Sequence, residues 1–390
     1  MTRVAAFLVV CLLAQGCSAT LAGSPDSQDG ATRFDAAGLD AGTIDFGGAM
    51  DADRVDSGGA SDGGARDDMA LHDSGGIDAA RDSGGLDAGA HDAGADAGDV
   101  PPACPVCATY SSATSVGITD ATVLVEASGL AASRDHAGVM YTHNDEGMRY
   151  YALDSSAAII ATVIASAEAD CGGGAARCDV EEMAVGPCPS GGGCVFLGNI
   201  GVNGSGDPAT HAVYRSPERA SLSGTVTVDF DKFAYTFPDG NHNAEAMIVH
   251  PVTGEIYIIT KRTDDVSQPS RVYKFPMPSM ALAPGSTYTL VEVSSDLSRF
   301  SGELVTSADV SPCGERLLIR TYGHLYELSP SGASFESIFT ATSASTRMLP
   351  VSSDSGGEAC AYAADGASYY TITEHLAATT PLYQYTCTAP

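Results

Sequence analysis

One phrase returns five times in the second half of this chain: an acidic residue opens a short apolar strand, and a turn joins that strand to a second one. The opening acids are 49 to 64 residues apart and are Glu126, Glu182, Glu245, Asp309 and Glu358. A unit this short cannot bury both of its faces alone, and this spacing suits four-stranded blades better than the rungs of a β-helix. We therefore predict an all-β fold, a β-propeller with five blades, with six blades as the alternative.

A propeller also needs a closed ring. An open edge between the first and last blades would expose unpaired backbone groups and favour aggregation. We therefore expect residues 121–125, just ahead of the first repeat, to join the sheet of the last repeat.

The first 17 residues have the pattern of a lipoprotein signal peptide. Arg3 precedes the apolar run AAFLVVCLLA, which is too short to span a bilayer comfortably, and the run leads into Ala14-Gln15-Gly16-Cys17. A small residue followed by Cys resembles the bacterial lipobox, which predicts lipidation of Cys17 and a location at the outer membrane or cell surface. An ordinary cleaved signal peptide is the alternative, because Ala14 stands where the lipobox usually has Leu.

Residues 18–102 have the composition of a disordered linker. They contain 18 Asp, no Glu and four Arg, so −14 of the formal charge of −30 lies in this stretch. With few large apolar residues, such a segment cannot bury enough surface to offset its conformational entropy. We predict a self-repelling spacer; calcium chelation by the irregular Asp repeats is the alternative.

Residues 103–390 are long enough for one propeller domain with a substantial core. Their acidity argues against nucleic acid or an anionic membrane surface as a partner, so contact with the membrane is expected only through the lipid anchor. A protein, a glycan or a small molecule remains open as the ligand.

The cysteines agree with export to an oxidising compartment. Two pairs are close in sequence across Gly-rich loops, which predicts the bridges Cys171–Cys178 and Cys188–Cys194. Cys313 and Cys360 lie in or beside the opening strands of consecutive repeats, which favours a bridge between blades. Cys387 lies near the end of the sequence and is expected to bond Cys104 or Cys107, closing the ring. The alternative for CPVC at 104–107 is a redox or metal motif.

The recurring acids predict a polar site on the propeller axis, because the first strand of each blade lines the central channel. Carboxylates at one level repel unless a cation, a basic residue or protonation compensates. Lys261 and Arg320 follow the second strands of two repeats and are expected to compensate the charge of these carboxylates.

Hard ions such as Ca²⁺ prefer oxygen ligands, so Glu182, Glu245, Asp309 and Glu358 are candidate metal ligands. The candidate binding residues are Asn144, Asp145, Glu182, Asn203, Glu245, Lys261, Asp309, Arg320 and Glu358. Ion pairing between blades is the competing explanation.

Residues 103–390 contain no GxSxG, HExxH or P-loop motif, so the sequence identifies no catalytic residue and leaves enzymatic activity undecided. We therefore favour a binding module that acts through a mixed-charge channel mouth. The alternative is a metal-assisted hydrolase of phosphate or carboxylic esters, with Lys261 or Arg320 holding the anion.

The phrases YTHND, EEMAVG, GNIGVN, HNAEAM, ADVSP and RTY resemble a group of secreted bacterial β-propeller proteins. More distantly, they are similar to the esterase-like, phytase-like and SdiA-regulated propeller families. The resemblance covers about residues 125–385 and implies the propeller fold. In this chain Asn199 and Val202 stand where the family pattern has acids.

Overall fold

The computed structural model describes residues 104–166, 178–202, 211–261, 269–297, 300, 303–340, 344–352, 356–374 and 380–389. The predicted signal peptide, Cys17 and the predicted linker lie outside these ranges. The described residues form 23 strands, one short helix, α1 (Ser337–Thr340), and a 3₁₀ turn at Ser279–Ala281. The all-β prediction is confirmed.

The strands form five sheets, which confirms the prediction of five blades. In chain order they are β1 (Thr109–Tyr110), β2 (Thr114–Thr119), β3 (Ala127–Ala132), β4 (Met140–Asn144), β5 (Arg149–Leu153), β6 (Ile159–Ala165), β7 (Val180–Pro187), β8 (Gly193–Asn199), β9 (His211–Pro217), β10 (Gly224–Val228), β11 (Asp231–Thr236), β12 (Ala244–Val249), β13 (Ile256–Thr260), β14 (Val272–Lys274), β15 (Thr287–Thr289), β16 (Val291–Ser294), β17 (Val305–Val310), β18 (Leu317–Thr321), β19 (Leu325–Ser329), β20 (Ser345–Leu349), β21 (Gly357–Tyr362), β22 (Ser368–Thr373) and β23 (Thr380–Ala389).

The inner strands of blades 1 to 5 are β3, β7, β12, β17 and β21. Blades 1 and 2 have the orders β3-β4-β5-β6-β10 and β7-β8-β9-β11-β15. Blades 3 and 4 have the orders β12-β13-β14-β16 and β17-β18-β19-β20, and blade 5 contains β21, β22, β23, β1 and β2. The outermost strands β10 and β15 pair in parallel with β6 and β11, whereas the other paired strands are antiparallel.

The core consists of five apolar clusters, each filling the gap between two adjacent blades. Strand β13, with the sequence IYIIT, illustrates this packing. Ile256 and Ile258 pack toward blade 2, whereas Tyr257 and Ile259 pack toward blade 4. Successive side chains of a strand point to opposite faces, so a strand between two blades is buried on both.

The ring is closed by the N-terminal strands, but not by the predicted residues. Strands β1 and β2 both pair with β23 of the last blade, whereas the expected segment, 121–125, contains a turn. The reason is Asp120, whose Oδ1 accepts hydrogen bonds from the backbone N–H of Thr122 at 2.9 Å and its hydroxyl at 2.6 Å. This local capping ends β2 and turns the chain toward blade 1.

Two of the predicted disulfides are confirmed. Cys188 bonds Cys194 across its short loop, and Cys107 bonds Cys387, so the two ends of the propeller domain are covalently joined. Cys178 is also disulfide-bonded; its predicted partner, Cys171, lies outside the described residues.

The predicted Cys313–Cys360 bridge is wrong. Cys313 lies in the turn after β17 and bonds Cys104, whereas Cys360 is a free thiol buried within β21. The Cys360 thiol lies 3.8 Å from the Ser307 hydroxyl of the neighbouring inner strand, away from the rim where Cys313 is found. Both cysteines of CPVC are bonded elsewhere, so this motif is not an internal redox pair.

Candidate functional site at the channel mouth

A β-bulge near the start of every inner strand builds the site. In β7, Val180 lies opposite Asn199 and Glu182 lies opposite Gly198, which leaves Glu181 unpaired between them. The corresponding unpaired residues of the next three blades are Glu245, Thr306 and Glu358. In blade 1 the bulge contains Ser128. A bulge redirects a side chain that a regular strand would bury between blades, and here it repeats around the axis.

A second set of residues comes directly after the second strands of blades 1, 3, 4 and 5. Asp145, Lys261, Tyr322 and Glu374 follow β4, β13, β18 and β22. Together with the bulge residues of blades 1, 2, 3 and 5, they line a cavity of about 270 Å³ at one mouth of the channel. Its lining residues are Ser128, Asp145, Asp179, Glu181, Val202, Asn243, Glu245, Lys261, Tyr322, Glu358 and Glu374.

One cation lies among six carboxylates in this lining. The Lys261 ammonium contacts Glu245 Oε1 at 2.8 Å, donates to the Tyr322 hydroxyl at 2.9 Å and lies 5.1 Å from the centre of the Tyr322 ring. Burial disfavours the charge of Lys261, but the attraction of Glu245 outweighs burial and raises the pKa of the ammonium. Burial also raises the pKa of Glu245, and Lys261 offsets only part of that rise.

Glu358 has no direct contact of this kind. Its side chain is only 7% exposed, and among the described residues no donor or cation forms a hydrogen bond or ion pair with its carboxylate. Burial, followed by the charge of Glu245, raises the pKa of Glu358 to about 8, and the charge of Lys261 offsets only part of that rise. Burial and the charge of Glu374 raise the pKa of Asp145 to about 7, and burial and Glu245 raise the pKa of Glu181. The mouth therefore carries an excess of buried carboxylates, which a proton or a bound cation must compensate.

Four of the predicted binding residues share this cavity: Asp145, Glu245, Lys261 and Glu358. Glu182 lies deeper in the channel and is fully buried. Its carboxylate accepts the backbone N–H groups of Met183 and Ala308, both at 3.0 Å.

Asp309 does not lie at this mouth. Its carboxylate accepts the backbone N–H of Tyr362 at 2.7 Å and lines a separate cavity of about 170 Å³ beside Arg134. Burial raises the pKa of Asp309 to about 7. The sequence-based expectation that all the opening acids lie at one level is therefore corrected.

Arg320 is not at the mouth either. It lies within β18, is 1% exposed and packs under Gly357, where an added Cβ would lie 1.8 Å from Arg320 Nη2. The blade 4 residue that corresponds to Lys261 is Tyr322, because Thr260 and Thr321 end the equivalent strands. Arg320 therefore lies outside the cavity lining, and from beneath the mouth it still interacts electrostatically with Glu358.

The side chain of Asn144 forms hydrogen bonds with the backbone and does not face the binding cavity. Its Oδ1 accepts the N–H of Glu126 at 3.2 Å, and its Nδ2 donates to the Val123 carbonyl at 2.8 Å. Asn199 repeats the first contact in blade 2, accepting the N–H of Asp179 at 2.8 Å. Glu126 itself is exposed and outside the cavity lining, and Asn203 lies outside the described residues.

The predicted metal set is not brought together. Of Glu182, Glu245, Asp309 and Glu358, only Glu245 and Glu358 line the cavity. Within the part of the chain that the structure describes, no three His, Cys, Asp or Glu side chains are grouped closely enough to hold a metal ion. The cavity is thus a wide ring of carboxylates.

Comparisons with known proteins found no matching family model and no matching curated protein. Solved structures do match. A luciferin-regenerating enzyme is 9% identical, with a TM-score of 0.38 over 69% of this chain and 94% of that one. A mitotic checkpoint complex chain is 14% identical, with a TM-score of 0.31 over 65% and 60%. A protein assigned as a 6-phosphogluconolactonase from Bacteroides uniformis is 15% identical, with a TM-score of 0.32 over 63% of each chain.

All three TM-scores lie below 0.5, so these likenesses carry no argument about activity. The blade count rests on the strand pairing of this chain. The described helices include none with the length and apolar character needed to cross a membrane.

Proposed function

We propose that this chain is a binding module whose channel mouth captures a cationic ligand. The observation that carries the proposal is Glu358, a carboxylate buried in the wall of the cavity that forms no hydrogen bond or ion pair with the described residues. A buried, unpaired carboxylate is costly, and the cost is removed by a cation that enters the cavity. Asp145, Glu181 and Glu374 lie in the same wall and add to the attraction.

Binding is better supported than ester hydrolysis by the contacts at the mouth. The hydroxyl of Ser128 donates to the backbone carbonyl of Glu181 at 2.9 Å, and no histidine of the described residues lines the cavity to act as its base. Lys261 is paired with Glu245, and Arg320 is buried outside the cavity lining, so neither is positioned to clamp an anion.

Cation binding is expected to strengthen by about tenfold or more between pH 6 and pH 9. A carboxyl group must lose its proton before it pairs with a cation, and the pKa values of Asp145 and Glu358 lie at about 7 and about 8. Isothermal titration with CaCl₂ and with spermidine, each at constant ionic strength, measures this dependence.

Glu358→Gln keeps the size of the side chain and removes its charge, so it is expected to weaken binding and flatten the pH profile. Glu315→Gln removes one charge from an exposed position outside the cavity and serves as the matched control. If neither cation binds at either pH, or if the control variant weakens binding as much as Glu358→Gln, the proposal fails.

We also propose that the propeller is displayed outside the cytoplasm as a lipoprotein anchored through Cys17. The disulfides of the propeller suit an oxidising compartment, and Cys17 ends a signal-like sequence. Cys17→Ser is expected to release the protein from the membrane fraction or to leave its precursor uncleaved. Fractionation and the mass of the mature N-terminus measure this; normal processing with unchanged membrane retention would refute the anchor.

A further inference from the structure

The width of the mouth bears on what kind of cation it accepts. A bare Ca²⁺ takes about six to eight oxygen ligands at about 2.3–2.6 Å, which requires carboxylates to converge on one point. No such group exists among the described residues. The cavity of about 270 Å³ instead has the volume of roughly nine water molecules at ~30 Å³ each. Asp145, Glu358 and Glu374 therefore face a space with room for a ligand larger than a bare ion.

The protein already shows how this wall holds an ammonium group. Lys261 Nζ uses one carboxylate oxygen at 2.8 Å, one phenol oxygen at 2.9 Å and the face of the Tyr322 ring. Single charge-assisted hydrogen bonds of this length, with an aromatic face, suit N–H donors well. The resident ammonium satisfies Glu245.

Three other carboxylates of the cavity wall have no ammonium group of the described residues paired with them. Asp145, Glu358 and Glu374 come from blades 1 and 5, and none of them forms an ion pair with a lysine or arginine of the described residues. Asp145 and Glu374 both interact electrostatically with Glu358, so the three lie near one another. Tyr322 is 38% exposed, and its ring offers an apolar surface at the edge of this space.

We propose that the ligand of this mouth is a small linear polyamine, a chain of methylene groups that carries two or more ammonium groups. The proposal rests on the proposed function and specifies its ligand class. Separate ammonium groups match separate carboxylates: each donates to one of Asp145, Glu358 and Glu374, and the methylene chain passes over Tyr322. A ligand with several charges also compensates several carboxylates at once, which a single ammonium cannot do.

Titration calorimetry of the intact propeller at pH 8 and constant ionic strength tests the proposal, with spermidine, putrescine, butylamine, CaCl₂, MgCl₂ and tri-lysine as probes. We expect spermidine to bind at least about tenfold tighter than butylamine and tighter than either metal ion. Glu358→Gln and Glu374→Gln should each lower spermidine affinity about tenfold, and the exposed control Glu315→Gln should leave it unchanged.

Tighter binding of Ca²⁺ or Mg²⁺ than of spermidine would overturn the polyamine assignment and leave the cation-binding function standing. Tighter binding of tri-lysine would overturn it in favour of a basic peptide. Equal affinities of spermidine and butylamine would show that the carboxylates do not act on separate ammonium groups. If no probe binds, the proposed function fails together with the ligand class.

Discussion

Removal of the Cys107–Cys387 bridge is expected to lower the free energy of unfolding by about 4 kcal/mol. The two cysteines are 280 residues apart, but the Cys104–Cys313 bridge shortens the loop that they close to roughly 80 residues. In the unfolded chain, a loop of this length loses substantial entropy when it is closed. The bridge also holds β1 against β23, where the ring is completed. Urea denaturation of Cys107→Ala/Cys387→Ala against the parent protein measures the loss.

The Cys188–Cys194 bridge is the matched control, since it lies within the same domain but spans only 6 residues. Cys188→Ala/Cys194→Ala should cost about 2 kcal/mol by the same loop-closure argument. Equal losses for the two pairs, or a larger loss for the short one, would show that ring closure does not depend on the covalent joining of the chain ends.

The blade number could be predicted from the sequence because each blade repeats one pattern, and a strand between two blades must be apolar on both faces. The residues that close the ring of blades were harder to predict than the number of blades. Residues 121–125 and β2 both have strand-like sequences, and the turn that separates them depends on the Asp120 carboxylate bonding its own neighbours. A local hydrogen bond of this kind outweighs strand propensity at the edge of a sheet.

The site was predicted only in part, because a shift of one residue in a strand moves a side chain to the opposite face. Glu245 and Glu358 occupy the bulge position and were found. In blade 2 the sequence offers two adjacent acids, and the bulge selects Glu181 rather than Glu182. In blade 4 that position belongs to Thr306, so Asp309, three residues further along the strand, reaches the other cavity.

A usable sequence signal did exist for the second set of mouth residues. Three second strands end in a threonine, Thr260, Thr321 and Thr373, and the next residue enters the cavity. Alignment on this threonine places Tyr322 beside Lys261 and shows that Arg320 belongs inside the strand. Ser128, Asp179 and Asn243 carried no comparable signal, because their roles depend on how adjacent blades meet.

Lys261→Met is expected to destabilise the propeller by about 3 kcal/mol at pH 8. The substitution keeps most of the apolar stem of the side chain but leaves Glu245 buried, at 7% exposure, beside other carboxylates. Breaking a buried pair by removing one partner typically costs about 3–5 kcal/mol, because the remaining charge is uncompensated. The loss should shrink as the pH falls, since Glu245 then takes up a proton. Thermal and urea denaturation at pH 5 and pH 8 measure both effects.

Two further variants separate loss of the ion pair from loss of packing. In Lys261→Met/Glu245→Gln no buried charge remains, so most of the stability should return, and a double-mutant cycle gives the coupling of the pair. Lys274→Met removes an ammonium that pairs with the half-exposed Glu255 and Glu336, whose carboxylates water can solvate, and should cost at most about 1 kcal/mol.

Ethylammonium should raise the melting temperature of Lys261→Met more than that of the parent protein, because it can replace the missing group beside Glu245. If the double variant is no more stable than Lys261→Met, or if ethylammonium acts equally on both proteins, the mouth does not hold its carboxylates by charge compensation.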